Sequence, residues 1–211
     1  MTNDLFWNAS VKEVNFEDGE IKWSPNSTPV ENKKTDYRSK KDWKPPECLK
    51  RIYTDGGSRI IPTAERKRYV GAWAFYDEGT NEIYGQAEDD ATNNAMELKA
   101  VINAIEYLNE LGIPKDRWCT IVLDSDYVRF GILFWTKKWK ENDWIRKDRD
   151  GKIMEIKNLE LWKKLYDLNA ERKIAYEKVA GHSGVEGNER VDIHCRKLMD
   201  NFCIENNIKR I

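Results

Sequence analysis

The sequence predicts an α/β domain built on a mixed five-stranded sheet with helices on both faces, preceded by a short N-terminal appendage that contains a β-hairpin. Its first three strand-like runs follow one another with only turn residues between them, which implies antiparallel pairing. After them helical and strand-like stretches alternate, which implies parallel crossovers. Size agrees: 211 residues, 40% of them hydrophobic, suffice for one core domain of about 150 residues and an extension.

The strands of the meander are expected at about 48 to 55, 69 to 77 and 81 to 88. A helix over 94 to 111 follows, with Val101, Ala104 and Leu108 at helical spacing and Gly112 and Pro114 to stop it. Next come a fourth strand at 118 to 123, a helical stretch from 125 to 140, a charged loop from 146 to 157 and a helix from 158 to 170. A fifth strand at 173 to 179, a loop carrying His182 and a last helix striped by Val191, Cys195, Leu198, Met199 and Phe202 complete the domain. Ahead of it, Val14 to Trp23 reads as a hairpin: Asp18 and Gly19 make a two-residue turn that sets Phe16 opposite Ile21 and Val14 opposite Trp23. A lone hairpin is marginal in water, so this one is expected to pack on something. Residues 24 to 46 read as a linker, first rich in Ser, Pro and Asn and then basic, which divides the chain into an extension (1–46) and a main domain (47–211).

The 36 basic and 37 acidic residues leave a net charge of −1, so total charge announces no polyanionic partner. Local charge does. Between Arg129 and Lys157 there are nine basic and five acidic residues, a net of +4, interleaved with tryptophans. No apolar run approaches the roughly 20 residues that a membrane span needs, and the start, with Asp4 and no basic residue, does not read as a signal peptide. Cysteines at 48, 119, 195 and 203 lack short paired spacing, so reduced, mostly buried thiols and a cytoplasmic or other reducing setting are expected.

Four acids carry the chemistry: Asp55 in TDGGS, Glu97 in TNNAMEL, Asp124 in LDSDYV and Asp192 in GNERVD. Each alone has an ordinary reading. Asp55 precedes two glycines as a turn residue does, Asp124 followed by Ser resembles a helix cap, Asn94 and Glu97 fit a capping box, and Asp192 suits the first turn of a helix. Together they fall at two predicted strand ends and two predicted first turns, where a fold can aim them at one point. Two carboxylates about 4 Å apart repel by roughly 4 kcal/mol at an effective dielectric near 20, so four converging anions need a strong counter-charge. Oxygen-only ligands point to Mg2+ or Mn2+ rather than zinc. Two such ions about 3.5 to 4 Å apart suit in-line displacement at a phosphodiester.

From about Lys50 to Phe202 the chain resembles the type 1 ribonucleases H, in the segments YTDGGS, ATNNAMELKAVINAIEYL, LDSDYV, FWTKKWKENDW, IKNLELWKKL and VAGHSGVEGNERVD, and in their order. The resemblance implies the ribonuclease H-like fold and an endonuclease that hydrolyses the RNA strand of an RNA:DNA hybrid with two Mg2+ ions, Mn2+ able to substitute, leaving 5′-phosphate and 3′-hydroxyl ends. It makes Asp55, Glu97, Asp124 and Asp192 the metal-binding acids. It also gives His182, on a mobile loop, a part in proton movement or product release, and Glu189, one turn before Asp192, a part in positioning metal or water. Thr92, Asn93 and Asn94 become contacts to sugar and phosphate, which suits recognition of the 2′-hydroxyl. Trp135, Lys137, Lys138, Trp139, Lys140, Trp144, Arg146 and Lys147 become a basic, aromatic protrusion gripping the DNA strand. The hybrid is the partner; no obligate protein partner is implied, and a monomer is expected.

The chain departs from the family pattern in three places. SRIIPTAERKRY replaces a glycine- and proline-rich loop, with Arg59, Arg66, Lys67 and Arg68 as alternative phosphate contacts. Ala95 stands where a basic residue is frequent, and Asp126 where an amide is frequent. Two rivals remain: a metal-dependent DNA nuclease or resolvase of the same superfamily, and a noncatalytic hybrid-binding module.

Overall fold

In a computed structural model, the structure describes residues 16–17, 20–21, 48–62 and 67–208. In the appendage, β1 (Phe16–Glu17) pairs antiparallel with β2 (Glu20–Ile21), Phe16 opposite Ile21 as the turn spacing requires. The expected pairing of Val14 with Trp23 lies outside the described residues, as do the whole linker and Arg66.

The main sheet holds β3 (Cys48–Pro62), β4 (Lys67–Asp77), β5 (Glu82–Asp89), β6 (Trp118–Leu123) and β9 (Ile174–Lys178) in the order β5-β4-β3-β6-β9. The first three are antiparallel neighbours; β6 joins β3 and β9 joins β6 in parallel. The mixed five-stranded sheet is thus the one expected, with helices on both faces. Strands β3 and β4 reach further than expected, because the segment read as a loop alternates like a strand. Ile61 and Val70 are buried while Ile60 and Tyr69, opposite one another, face solvent. In this extension Arg59 meets Asp200 at 2.5 Å and Arg68 makes two 2.7 Å bonds to Asp89, so both are engaged within the protein.

Helix α1 (Asn93–Glu110) ends where Gly112 takes a left-handed φ of 66°. The helical stretch expected at 125 to 140 is three pieces: α2 (Asp126–Phe130), a π-helical turn (Gly131–Trp135) and α3 (Thr136–Glu141). The wide turn surrounds Gly131, where a Cβ would lie 1.9 Å from the Trp162 ring. The charged loop contains a small hairpin, β7 (Arg146–Lys147) with β8 (Ile153–Met154), too short for a periodic signal. Helix α4 (Leu159–Glu171) follows, and after β9 comes α5 (Glu186–Glu205). The last helix therefore starts six residues before Asp192, which sits in its second turn rather than its first.

Alternation along the strands makes two cores. Ile52, Phe75 and Ile121 point to the face covered by α1, α4 and Trp162, whereas Tyr53, Ala72, Ala74 and Val122 point to the face covered by Val191, Cys195 and Met199 of α5. The four cysteines are free; Cys119, Cys195 and Cys203 are buried and Cys48 is exposed. Among the described residues no helix is long and apolar enough to cross a membrane.

One charge lies inside this frame. The Asp77 side chain has no exposed surface; it accepts from Lys50 Nζ at 2.6 Å, the Gly79 amide at 2.9 Å and the Tyr107 hydroxyl at 3.2 Å. Burial pushes its pKa up, but Lys50 and the two neutral donors outweigh burial and hold it below the ordinary value. A lowered carboxylate pKa contributes stability above the unfolded value near 3.9 that is lost as the pH falls through the folded value. Lys50→Met is expected to cost about 3 kcal/mol near neutrality, because it strands a buried charge. In urea unfolding, the gap between wild type and Lys50→Met should narrow as the pH falls, because Asp77, buried without its cation in the variant, takes up a proton before the Asp77 of wild type does.

Candidate active site

Asp55 lies in the middle of β3, opposite Ala74 on β4, not at a strand end or turn. Asp55 is 9% exposed, and its carboxylate accepts from the Gly56 amide at 2.9 Å. Gly56 is where α1 touches the sheet: a Cβ there would stand 2.1 Å from the backbone nitrogen of Glu97 and 2.2 Å from the carbonyl carbon of Met96. Only glycine permits that approach, and the approach lays Glu97, 7% exposed, beside Asp55. The start of α1 is tied down by the TNN turn. Thr92 caps the helix by accepting from the Ala95 amide at 3.3 Å, and the Asn93 side chain accepts from the Ser58 amide at 3.2 Å. Glu97 is accordingly the fifth helical residue, and the capping-box reading of Asn94 with Glu97 does not hold. Asn94 is exposed.

Asp124 follows β6. Ser125 takes the capping role, accepting from the Val128 amide at 3.4 Å, which leaves the Asp124 carboxylate free for the cleft. Asn188 of α5 donates to Asp124 Oδ2 at 3.4 Å, and Lys178 donates to the Asp124 carbonyl. Asn188 is 3% exposed, and its Oδ1 has no partner among the described residues. Asn188 is not among the candidates that the sequence offers. The missed signal is its place three residues before Val191 and seven before Cys195, on the buried stripe of α5.

Carboxylate oxygens of Asp55, Glu97 and Asp124 lie within 4.8 Å of one another. Burial, then repulsion from Asp124 and Asp192, pushes the Asp55 pKa up to about 7. Burial, then repulsion from Asp55 and Asp124, raises Glu97 well above the ordinary value, while the Lys178 charge opposes the rise. The buried Cys195 thiol is also raised, first by burial and then by the surrounding acids. Three oxygen donors gathered at one point, with Asp55 and Glu97 pushed toward the neutral form, fit a hard divalent cation, which would stabilise their charges. Asp192 stands outside the trio: Arg196 Nη2 is 2.5 Å from its Oδ2 and His182 Nδ1 is 3.6 Å away. His182 is exposed on a loop with a left-handed φ of 54°, and Glu189 is exposed on α5.

The basic and aromatic constellation divides. Trp135, Trp139 and Trp144 are partly buried and packed against the core, and Trp135 and Trp139 meet the Trp162 ring edge-on at 6.1 and 5.8 Å. Lys138, Lys140 and Lys147 are exposed and Lys137 and Arg146 half-buried.

A sheet of order β5-β4-β3-β6-β9 with an acid cluster where β3, α1 and the end of β6 meet defines a nuclease-like α/β protein with a candidate divalent-cation site. The RNase H family model matches residues 49–199. The chain is 38% identical over 153 residues to a ribonuclease H of Wolbachia pipientis wMel, covering 70% of this chain and 93% of the relative. It is 36% identical over 149 residues to that of Ruthia magnifica subsp. Calyptogena magnifica, covering 71% and 94%. Two solved structures share the fold. A foamy viral protease-reverse transcriptase in complex with dsDNA superposes with TM-score 0.57 at 22% identity, covering 74% of this chain and 96% of that one. A type 1 RNase H with the type 2 active-site motif gives 0.54 at 20%, covering 72% and 73%. The chain belongs to the ribonuclease H family and is an enzyme.

The raised Asp55 pKa has a measurable sign. Stability is greatest below the unfolded value near 3.8 and is lost as the pH rises through about 7, because ionisation then forces like charges together. In chelator, wild type should lose on the order of 1 to 4 kcal/mol between about pH 4 and pH 8, as followed by urea unfolding. Asp55→Asn should lose distinctly less, and Mg2+ should restore most of the loss to wild type alone.

Proposed function

We propose that this protein is an endonuclease hydrolysing the RNA strand of RNA:DNA hybrids, with two Mg2+ ions, or Mn2+, as cofactors and 5′-phosphate and 3′-hydroxyl ends as products. The supporting observation is the convergence of Asp55, Glu97 and Asp124 from three separate elements, in a chain of the ribonuclease H family. In this reading Asp55, Glu97, Asp124 and Asp192 hold the ions, which supply charge neutralisation and Lewis acidity at the phosphodiester. Gly56 sets the spacing of Asp55 and Glu97, and Asn188 orients Asp124. His182, exposed and 3.6 Å from Asp192, moves a proton or helps the product leave, and Glu189 positions water from the same helix. The Asn93 and Asn94 amides, with Thr92, face sugar and phosphate. Lys138 and Lys140 hold phosphates of the DNA strand, and Trp135, Trp139 and Trp144 hold up that surface from beneath, packed against the core.

The remaining assignments follow from the same reading. Residues 47–211 form the catalytic domain and 1–46 an extension. The protein works as a monomer, and its three buried free thiols support a cytoplasmic or other reducing compartment.

The deciding experiment compares labelled RNA:DNA hybrid, duplex RNA, duplex DNA and single-stranded RNA with Mg2+, Mn2+ or chelator. Metal-dependent cutting of the hybrid's RNA strand alone is expected. Cutting of duplex DNA would move the protein to the resolvase branch, and binding without cutting would make it a noncatalytic module. Asp124→Asn should lower kcat by about a thousandfold or more while the hybrid still binds, since it removes one ligand charge and leaves the surface intact. Lys138→Ala, at an exposed position, should reduce the slope of log affinity against log salt by about one.

A further inference from the structure

Asp126 departs from the family pattern, and the catalytic reading leaves it without a task. It is the first residue of α2, and Lys178 is the last of β9; the two elements meet beside Asp124. Lys178 Nζ donates to the Asp124 carbonyl and lies 3.3 Å from Asp126 Oδ1. An ammonium has three donors, and these contacts account for two. The Lys178 side chain remains 30% exposed. An ion pair this exposed adds little stability, so the fold alone gives it no purpose. What the pair does accomplish is to hold a cation at the rim of the acid cluster, close enough for its charge to reach Glu97. A polyanion approaching three clustered carboxylates is repelled, and a fixed cation on the same rim offsets that repulsion at one defined point.

We propose that Lys178 is a substrate-binding residue that contacts a backbone phosphate of the nucleic acid beside the acid cluster, and that Asp126 holds it there while competing for its charge. This inference rests on the nuclease reading above. Asp126 then does not face the substrate as an uncompensated negative charge; its carboxylate is spent on Lys178.

The test is binding of labelled RNA:DNA hybrid in chelator across a salt series, with steady-state cleavage in Mg2+, for wild type, Lys178→Met, Lys178→Arg and Asp126→Asn. Lys178→Met is expected to flatten the slope of log affinity against log salt by about one, as for one lost phosphate contact. Its KM should rise about 3- to 10-fold with less than a twofold change in kcat, and Lys178→Arg should recover most of the slope. Asp126→Asn, which keeps the ammonium and removes its competitor, should tighten binding about twofold or more at low salt. A thermal melt accompanies each variant. Lys178→Met with a lowered melting temperature but an unchanged salt slope overturns the proposal and leaves the pair a structural cross-link. Should Lys178→Met fail to fold, Asp126→Asn decides alone, and unchanged or weaker binding refutes the proposal. Failure of the nuclease reading shows separately, in a wild type that neither binds nor cuts the hybrid.

Discussion

The contact between strand and helix at Gly56 is the constraint on which this molecule is organised. With no room for even a methyl group between β3 and the backbone of Met96 and Glu97, α1 lies against the sheet at one defined point. That contact brings Glu97 beside Asp55, and the C-terminal end of the neighbouring parallel strand β6 brings Asp124 to both. Like charges gathered in a largely buried place destabilise the fold unless something cationic meets them. The packing that builds the protein therefore also gathers the three carboxylates that could hold a divalent cation.

Glycine serves the other face in the same way. A Cβ on Gly187 would fall 2.5 Å from the Tyr53 ring, so α5 settles closely on β3 and delivers Asn188 to Asp124. From that position the helix presents Asp192 one turn further along, paired with Arg196 and facing His182. Two helices on opposite faces thus approach one strand through glycine. Asp55, Glu97 and Asn188 are all buried where these helices meet the strand. Around this core the cations are peripheral: Lys178 at the rim, and Lys138 and Lys140 on a surface beside tryptophans packed edge-on and tilted against the core. Trp135, Trp139 and Trp144 are partly buried and pack against the core near the helix that carries the lysines.

Much of this was legible in the order of residues. Alternating apolar positions placed the five strands, Gly112 and Pro114 stopped α1, and the Asp-Gly spacing set Phe16 opposite Ile21. Local patterns misled where a competing residue took the expected job. Thr92, not Asn94, caps α1; Ser125, not Asp124, caps α2; and α5 opens at Glu186, six residues before Asp192. The segment 58 to 69 was read as a loop because its charges mask an alternation that only cross-strand pairing reveals. Asn188 was missed because a polar residue on an apolar stripe looks like a break until its partner, 64 positions away, comes into view.

By itself the sequence determined the sheet, the helices that cover it, Asp55, Glu97 and Asp124 among the acids to be brought together, and the family, because these depend on periodicity and on residue type within short windows. Tertiary structure alone decided which acids share one point, that Asp192 is turned toward Arg196 and His182, and that Trp135, Trp139 and Trp144 face the core. It also decided that Asp126 is matched by Lys178. Each of these is a distance between residues far apart in the chain. Charge interactions and close packing depend on that distance, and no local pattern encodes it.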